Sequence, residues 1–256
     1  MAKAEVGVQL YTVRKFTQTA EGLAETLRRV AEIGYRNVQT SALGPIPTSE
    51  VAKMVRDAGL TVVATHVGWK ELMDETERVI EEHNLLGCRH VAIGGLAPEY
   101  YSLEGLERFV RELEVVLPRL DAKGLVFSYH NHNHELVHYD GRTWLELLCE
   151  RTRKLPLNLE LDTYWIQAGG GDPAAWIQAC RGRVPLLHVK DMVVTPQREQ
   201  RFAEVGEGNL NWKAILAAAE ESGVQYLLVE QDNCYDRDPF DSLALSYANL
   251  RKWGYR

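Results

Sequence analysis

One short phrase recurs through the chain: a glycine followed by a run rich in Val, Leu or Ile. It appears as GYRNVQT from residue 34, GLTVVATH from 59, GCRHVAIGG from 87, GLVFSYH from 124 and GVQYLLVE from 223. Each glycine suits a helix C-cap, where the last turn closes in a left-handed conformation that costs a residue without Cβ nothing. The run behind it has the length and composition of a strand. Adding VGVQLYT near residue 6, LPLNLELD at 155 and GRVPLLHVKD at 182 gives eight strands, with helical segments such as 20–33, 72–86, 102–122 and 211–222 between them. Eight alternating units predict an α/β fold whose parallel sheet closes on itself, a single (β/α)8 TIM barrel. An open doubly wound sheet is the rival, but no G-x-G-x-x-G follows any strand, so a dinucleotide site is not expected.

A chain of 256 residues with 45% hydrophobic residues fits one such barrel, so residues 1–256 are expected to form one domain. Its net charge of −7 and lack of a basic cluster argue against nucleic acid as a partner, because phosphate binding needs a neutralising patch. The segment MAKAEVGVQLYT has no apolar signal core, and no later stretch is long and apolar enough for a bilayer. Cys88, Cys149, Cys180 and Cys234 stand singly, as suits packed thiols in a reducing compartment. A cytoplasmic protein acting on a small polar molecule is expected, with no membrane partner; a homo-oligomer is left open.

Side chains alternate along a strand, so one set of barrel residues faces the helices and the other the lumen. In LNLELD, Leu157, Leu159 and Leu161 take the helix side, which turns Asn158, Glu160 and Asp162 inward. The same rule sends His188 and Lys190 inward, Glu230 with Leu228, Ser128 with His130, and His66 to the lumen; Gln9 shares a side with Tyr11, and Asn37 with Gln39. Such a lumen is unusually polar for a barrel, and buried charges need partners or a metal.

Asp162, His188 and Glu230 close the sixth, seventh and eighth strands, at the face where barrel active sites are built. Their oxygen and nitrogen donors suit manganese, cobalt, zinc or magnesium; an ion-pair network across the lumen is the alternative. His130 closes the fifth strand beside them, within FSYHNHNHEL, as a fourth ligand or as a supporting hydrogen-bond donor. Glu135 is the other candidate from that run, and His132 is placed to act as acid or base. His66 suits hydroxyl binding or proton transfer, and Lys190 either polarises a substrate oxygen or pairs with Asp191 or Glu160. Trp69, Tyr164 and Trp165 are expected in packing, His83 and His90 in structural roles, and His134 and His138 at the surface. Glu204 and Glu207 are expected in a solvated loop, and Arg14 is a lone candidate phosphate anchor.

At these residues the sequence resembles the sugar phosphate isomerase/epimerase superfamily, the xylose isomerase-like barrels. The resemblance runs through GVQLYTVR, YHNHNHE, LELDTYW, HVKD, VGEGNLNW and LLVEQD, in order along nearly the whole chain. It implies a divalent metal, manganese foremost with cobalt, zinc, iron or magnesium as alternatives, held by Asp162, His188 and Glu230. A fourth ligand, commonly glutamate at the end of the fifth strand, is His130 here, a variant that looks like the branch of inosose dehydratase-like proteins.

The activity implied is isomerisation or epimerisation of a sugar, keto-sugar or cyclitol. The metal would chelate a carbonyl oxygen and the adjacent hydroxyl and stabilise an enediolate, with Glu230 as base and His132, Glu135 or His66 as the opposing acid. A lyase or dehydratase acting on a keto-sugar or keto-inositol is the alternative, because replacing glutamate by His130 favours one-sided proton chemistry. A non-catalytic metal- or sugar-binding subunit and an endonuclease IV-like nuclease are the other classes; the acidic balance weighs against the nuclease.

Overall fold

The computed structural model describes residues 3–256. Eight strands form the barrel: β1 Glu5–Gln9, β2 Asn37–Thr40, β3 Thr61–Val67, β4 His90–Ile93, β5 Val126–His130, β6 Leu157–Asp162, β7 Leu186–Val189 and β8 Tyr226–Val229. All neighbours are parallel, and β8 pairs back onto β1 to close the cylinder. This is a (β/α)8 TIM barrel. The glycines at 34, 59, 87, 124 and 223 all carry positive φ, as the C-cap reading requires.

The helices are α1 Ala20–Ile33, α2 Thr48–Asp57, α3 Trp69–Asp74, α4 Thr76–Leu86, α5 Leu103–Asp121, α6 Trp144–Arg151, α7 Thr163–Ala168, α8 Pro173–Ala179, α9 Trp212–Ser222 and α10 Pro239–Lys252. The segment expected as one helix over 72–86 is two, α3 and α4, broken at Glu75, whose φ of −127° and ψ of 35° are not helical. The break lets α3 tilt toward α5, where the Trp69 indole donates to Glu112 at 2.9 Å. No helix among the described residues is long and apolar enough to cross a membrane.

Leu157, Leu159 and Leu161 are buried in the main core between sheet and helices. Full burial of each is worth about 1.5–3 kcal/mol, which fixes the facing of β6 and so commits Glu160 and Asp162 to the lumen. Inside the barrel Val63, Ala64, Leu186 and Leu228 make a separate apolar plug. Gly7 leaves room for it: a Cβ there would stand 2.8 Å from Leu228 Cδ2. Two residues further along β7 and β8, the apolar Leu186 and Leu228 give way to His188 and Glu230, so the polar layer lies directly on the plug.

After β7 the chain forms an antiparallel ribbon, Asp191–Val194 against Gln200–Ala203. The Asp191 carboxylate turns away from the lumen and accepts from the amides of Gly206 (2.9 Å), Gly208 (3.0 Å) and Leu210 (3.2 Å) and from the Trp212 indole. This seats the loop expected to be solvated. Glu204 is only 9% exposed and accepts from Ser242 of α10 at 2.7 Å, and Glu207 accepts from Asn249 at 2.7 Å. Both act as struts to α10, because Asp191 pulls their backbone inward.

Candidate metal centre and active-site cavity

The site grows from the end of β6. Asp162 is the N-cap of α7, and its Oδ1 accepts from the Trp165 amide at 2.9 Å, satisfying one of that helix's open donors. Its own amide donates to Asn131 Oδ1 at 3.0 Å. One carboxylate oxygen is thereby committed to the backbone, and the other, Oδ2, is buried without a hydrogen bond and faces the Lys190 ammonium at 3.0 Å.

Around Oδ2 stand the ends of the neighbouring strands. His188 Nδ1 is 3.8 Å from it and 2.9 Å from Glu230 Oε2, while His130 Nε2 is 4.0 Å away. One donor atom from each of His130, Asp162, His188 and Glu230 falls within 4.8 Å of all the others, and all four residues are buried. The His130 ring approaches the His188 ring to 4.5 Å, with Nε2 turned to Asp162 and Nδ1, without a hydrogen bond, turned to Glu160 at 3.7 Å. A buried cluster of two imidazoles and two carboxylates converging this closely is a donor set that fits a divalent cation.

A second polar layer lies deeper. Glu160 accepts from Gln39 Nε2 at 2.7 Å, approaches His188 Nε2 at 3.3 Å, and bonds His66 Nε2. Gln39 Oε1 takes the same His188 Nε2 at 2.7 Å. Burial pushes the Glu160 carboxyl up, but His188 and His66 outweigh it and hold it well below the usual carboxylate range. For His188 burial opposes the charge, yet Glu160 and Glu230 raise it to about 10. Burial and then the neighbouring His188 push His130 well down, so it stays a neutral imidazole with lone pairs to give.

Lys190 sits among the carboxylates. Its ammonium is 2.6 Å from Glu230, 3.0 Å from Asp162 and 2.9 Å from Asp232, and the residue is 2% exposed. It pairs with neither Asp191 nor Glu160, the two partners offered by the sequence: Asp191 faces the 206–212 loop and Glu160 lies deeper in the lumen. Burial alone would lower the Lys190 pKa, but Asp162, Glu230 and Asp232 raise it well above its ordinary value. Burial outweighs Lys190 at Asp162 and lifts that carboxyl to about 6.

The cluster opens into a cavity of about 480 Å³ whose wall includes Tyr11, His66, His130, His132, Lys190 and Glu230. Gly94 keeps the wall thin beside His66, where an added Cβ would stand 3.0 Å from Nδ1. His132 presents a buried, unpartnered Nδ1, and burial with Lys190 pushes it down to about 3. Trp165 packs 5.3 Å from the His132 ring. The structure does not bring Glu135 to this cluster. Its oxygens accept from the Tyr129 hydroxyl at 2.7 Å and the His132 amide at 2.8 Å, so it braces the strand-five loop from behind. A cavity of about 400 Å³ at the opposite mouth, lined by His90, Asn158 and Tyr226 among others, lies on the strand-start side of the plug and away from these carboxylates.

The remaining histidines take supporting places. His83 is buried in α4, between Thr65 Oγ1 at 2.8 Å and the Val79 carbonyl at 2.7 Å. His134 and His138 are exposed. Asp232 is the site residue that sequence alone did not single out, although it stands two positions beyond Glu230 and so continues the inward face. Gln39, expected in the lumen without a role, and Glu160, expected there as a possible partner of Lys190, instead hold His188 and His66.

The family model described as xylose isomerase-like TIM barrel matches residues 27–244. A comparison with curated protein sequences finds no match. Among solved structures, a sugar phosphate isomerase/epimerase from Parabacteroides distasonis superposes with a TM-score of 0.80 at 24% identity, over 97% of this chain and 98% of the other. The D-allulose 3-epimerase of Methylomonas sp., solved with D-allulose, gives 0.75 at 16% identity, covering 100% and 98%. A probable 3-DHS dehydratase from Bacillus anthracis gives 0.72 at 12%, covering 96% and 98%. At these identities the likeness is one of fold.

Proposed function

Because the chain belongs to the xylose isomerase-like TIM barrel family, we propose that it is a divalent-metal-dependent enzyme that moves a proton beside the carbonyl of a sugar or keto-sugar, as an isomerase or epimerase passing through an enediolate. The observation that carries this is the convergence of one donor atom each from Asp162, His130, His188 and Glu230 within 4.8 Å of one another, at the floor of a cavity on the active face. An ion held by those four residues, manganese foremost with cobalt, zinc, iron or magnesium as alternatives, supplies Lewis-acid polarisation of a substrate oxygen.

The chain's own groups do the rest. Glu230 lines the cavity and is the base that takes the proton from carbon. Lys190, beside it, donates to an oxygen that gains negative charge. Neutral His132 and the Glu160-held His66 are the acid and base available from other parts of the wall, and Trp165 narrows the cavity beside His132. The D-allulose in the Methylomonas epimerase makes ketoses the first substrate class to try.

One observation favours elimination of water or an alcohol next to a ketone as a second reading. The cavity-lining Glu230 is paired with an ammonium, and the strand-five position holds His130 instead of a second carboxylate, so base and acid are adjacent. Elemental analysis of protein purified without chelator, beside Glu230→Gln and His130→Ala, is the test. Near-stoichiometric metal in the wild type, depleted in both variants, is expected. A ketose screen in heavy water then separates the two: carbon-bound deuterium in an isomeric sugar marks an isomerase or epimerase, and an enone marks a lyase. Absence of metal, with no thermal stabilisation by added manganese, overturns the proposal.

A further inference from the structure

We propose that a second subsite adjoins this cavity and binds an anionic group, a phosphate or a carboxylate, carried at the end of the substrate remote from the reacting carbonyl. It rests on the reading of the main cavity as a sugar site and names the class of sugar it takes. Arg14, Lys15 and Arg237 line a neighbouring cavity of about 340 Å³, and Asp232 belongs to the walls of both. The three cations come together because the barrel closes. Arg14 and Lys15 lie in the turn after β1, Arg237 lies in the loop after β8, and these strands pair with each other.

Arg14 is held in place by groups that leave its charge uncompensated. Nη1 donates to the Tyr11 carbonyl at 2.8 Å and Nη2 to the Asp232 carbonyl at 3.1 Å, while the guanidinium lies over the Tyr11 ring at 4.0 Å. Tyr11 is itself part of the main cavity wall. Among the described residues neither Arg14 nor Lys15 forms an ion pair within 4.0 Å. The carboxylate of Asp232 is spent on Lys190 at 2.9 Å, and Arg237 has a single partner, Glu204, at 3.4 Å. A guanidinium braced by neutral carbonyls and an aromatic face, with two more cations around the same hollow, is a preorganised acceptor for an anionic oxygen group. It is joined to the metal cluster through two residues: Glu230 contacts Lys190, Lys190 contacts the Asp232 carboxylate, and the Asp232 carbonyl accepts from Arg14.

The test is calorimetric titration of the folded protein with inorganic phosphate, for wild type, Arg14→Met and the double variant Lys15→Met/Arg237→Met, whose two side chains are exposed, with the melting temperature of each variant as the control for folding. Saturable binding that weakens about tenfold or more in each variant is expected. No saturable binding by wild type, or binding unchanged in the double variant, overturns the subsite. The manganese-loaded protein is then titrated with D-fructose, D-fructose 6-phosphate and D-fructuronate. Tighter binding of the phosphate or of the uronate assigns the anion. Equal binding of all three removes the subsite and leaves the sugar site standing; phosphate binding through Arg14 in a protein that takes up no metal does the reverse.

Discussion

The side-chain carbonyl of Gln39 meets Nε2 of His188 at 2.7 Å across the lumen, two residues 149 positions apart in the chain. Because the Gln39 amide nitrogen is already donating to Glu160 at 2.7 Å, its oxygen must face the ring, which makes Nε2 the proton-bearing nitrogen and turns Nδ1 to Glu230 and Asp162. Gln39→Leu removes that control and leaves Glu160 one donor short. Affinity for manganese is expected to fall about 10–100-fold. Chelator competition measures it, with the melting temperature of metal-free protein as the control for folding.

Lys190→Met takes the one ammonium out of a nest of three carboxylates. Removing one partner of buried ion pairs typically costs about 3–5 kcal/mol. The metal-free variant is therefore expected to melt well below wild type, and added manganese to recover more of the difference than it adds to wild type. Thermal scans of both proteins with and without metal decide this; an equal metal-induced rise in the two contradicts it.

The buried imidazoles set an acid limit on stability. Burial lowers His83 below its ordinary value, as it does His90, His130 and His132. A folded pKa below the unfolded value of about 6.5 means that the unfolded chain takes the proton first as pH falls, so stability is present above about 6.5 and lost below it. His188 runs the other way: raised to about 10 by Glu160 and Glu230 against burial, its contribution is full below about 6.5 and fades as pH rises toward 10. Denaturant unfolding of metal-free protein from pH 7 downward is expected to show the acid loss, and His83→Gln, remote from the metal cluster, to flatten part of that slope.

Asp191→Ala leaves four amides and an indole N–H without their common acceptor. A loss of about 3 kcal/mol or more is expected from urea unfolding. Metal affinity is expected to stay within about twofold of wild type, since Asp191 faces away from the cluster; a large fall in affinity contradicts the separation of the two roles.

The barrel and most of the centre were legible because period-two alternation and burial are local. LNLELD displays its own facing, and so do HVK and LVE. What stayed hidden depends on where side chains arrive from afar. Nothing in the sequence says that Gln39 reaches His188 or that Arg14 meets the Asp232 carbonyl. Glu135 looked equivalent to its neighbours in FSYHNHNHEL until Tyr129 and the His132 amide were seen to claim it. The break at Glu75 carries no glycine or proline, so helical periodicity ran straight through it. The seating of the Glu204 loop stays hidden for the same reason: its anchor, Asp191, precedes it by 13 positions and in sequence looks equally suited to pair with Lys190.

The plug of Val63, Ala64, Leu186 and Leu228 makes the barrel a well and not a tunnel. Whatever enters the cluster leaves by the same mouth, and so does every proton exchanged with bulk water. If a sugar is turned over there as proposed, a hydrogen lifted from carbon can exchange with bulk water only past the bound molecule, so solvent deuterium and the substrate's own hydrogen compete for return to carbon. The share of substrate isotope that survives turnover then reports how far the occupied well is closed to water: the tighter the closure, the higher the retention.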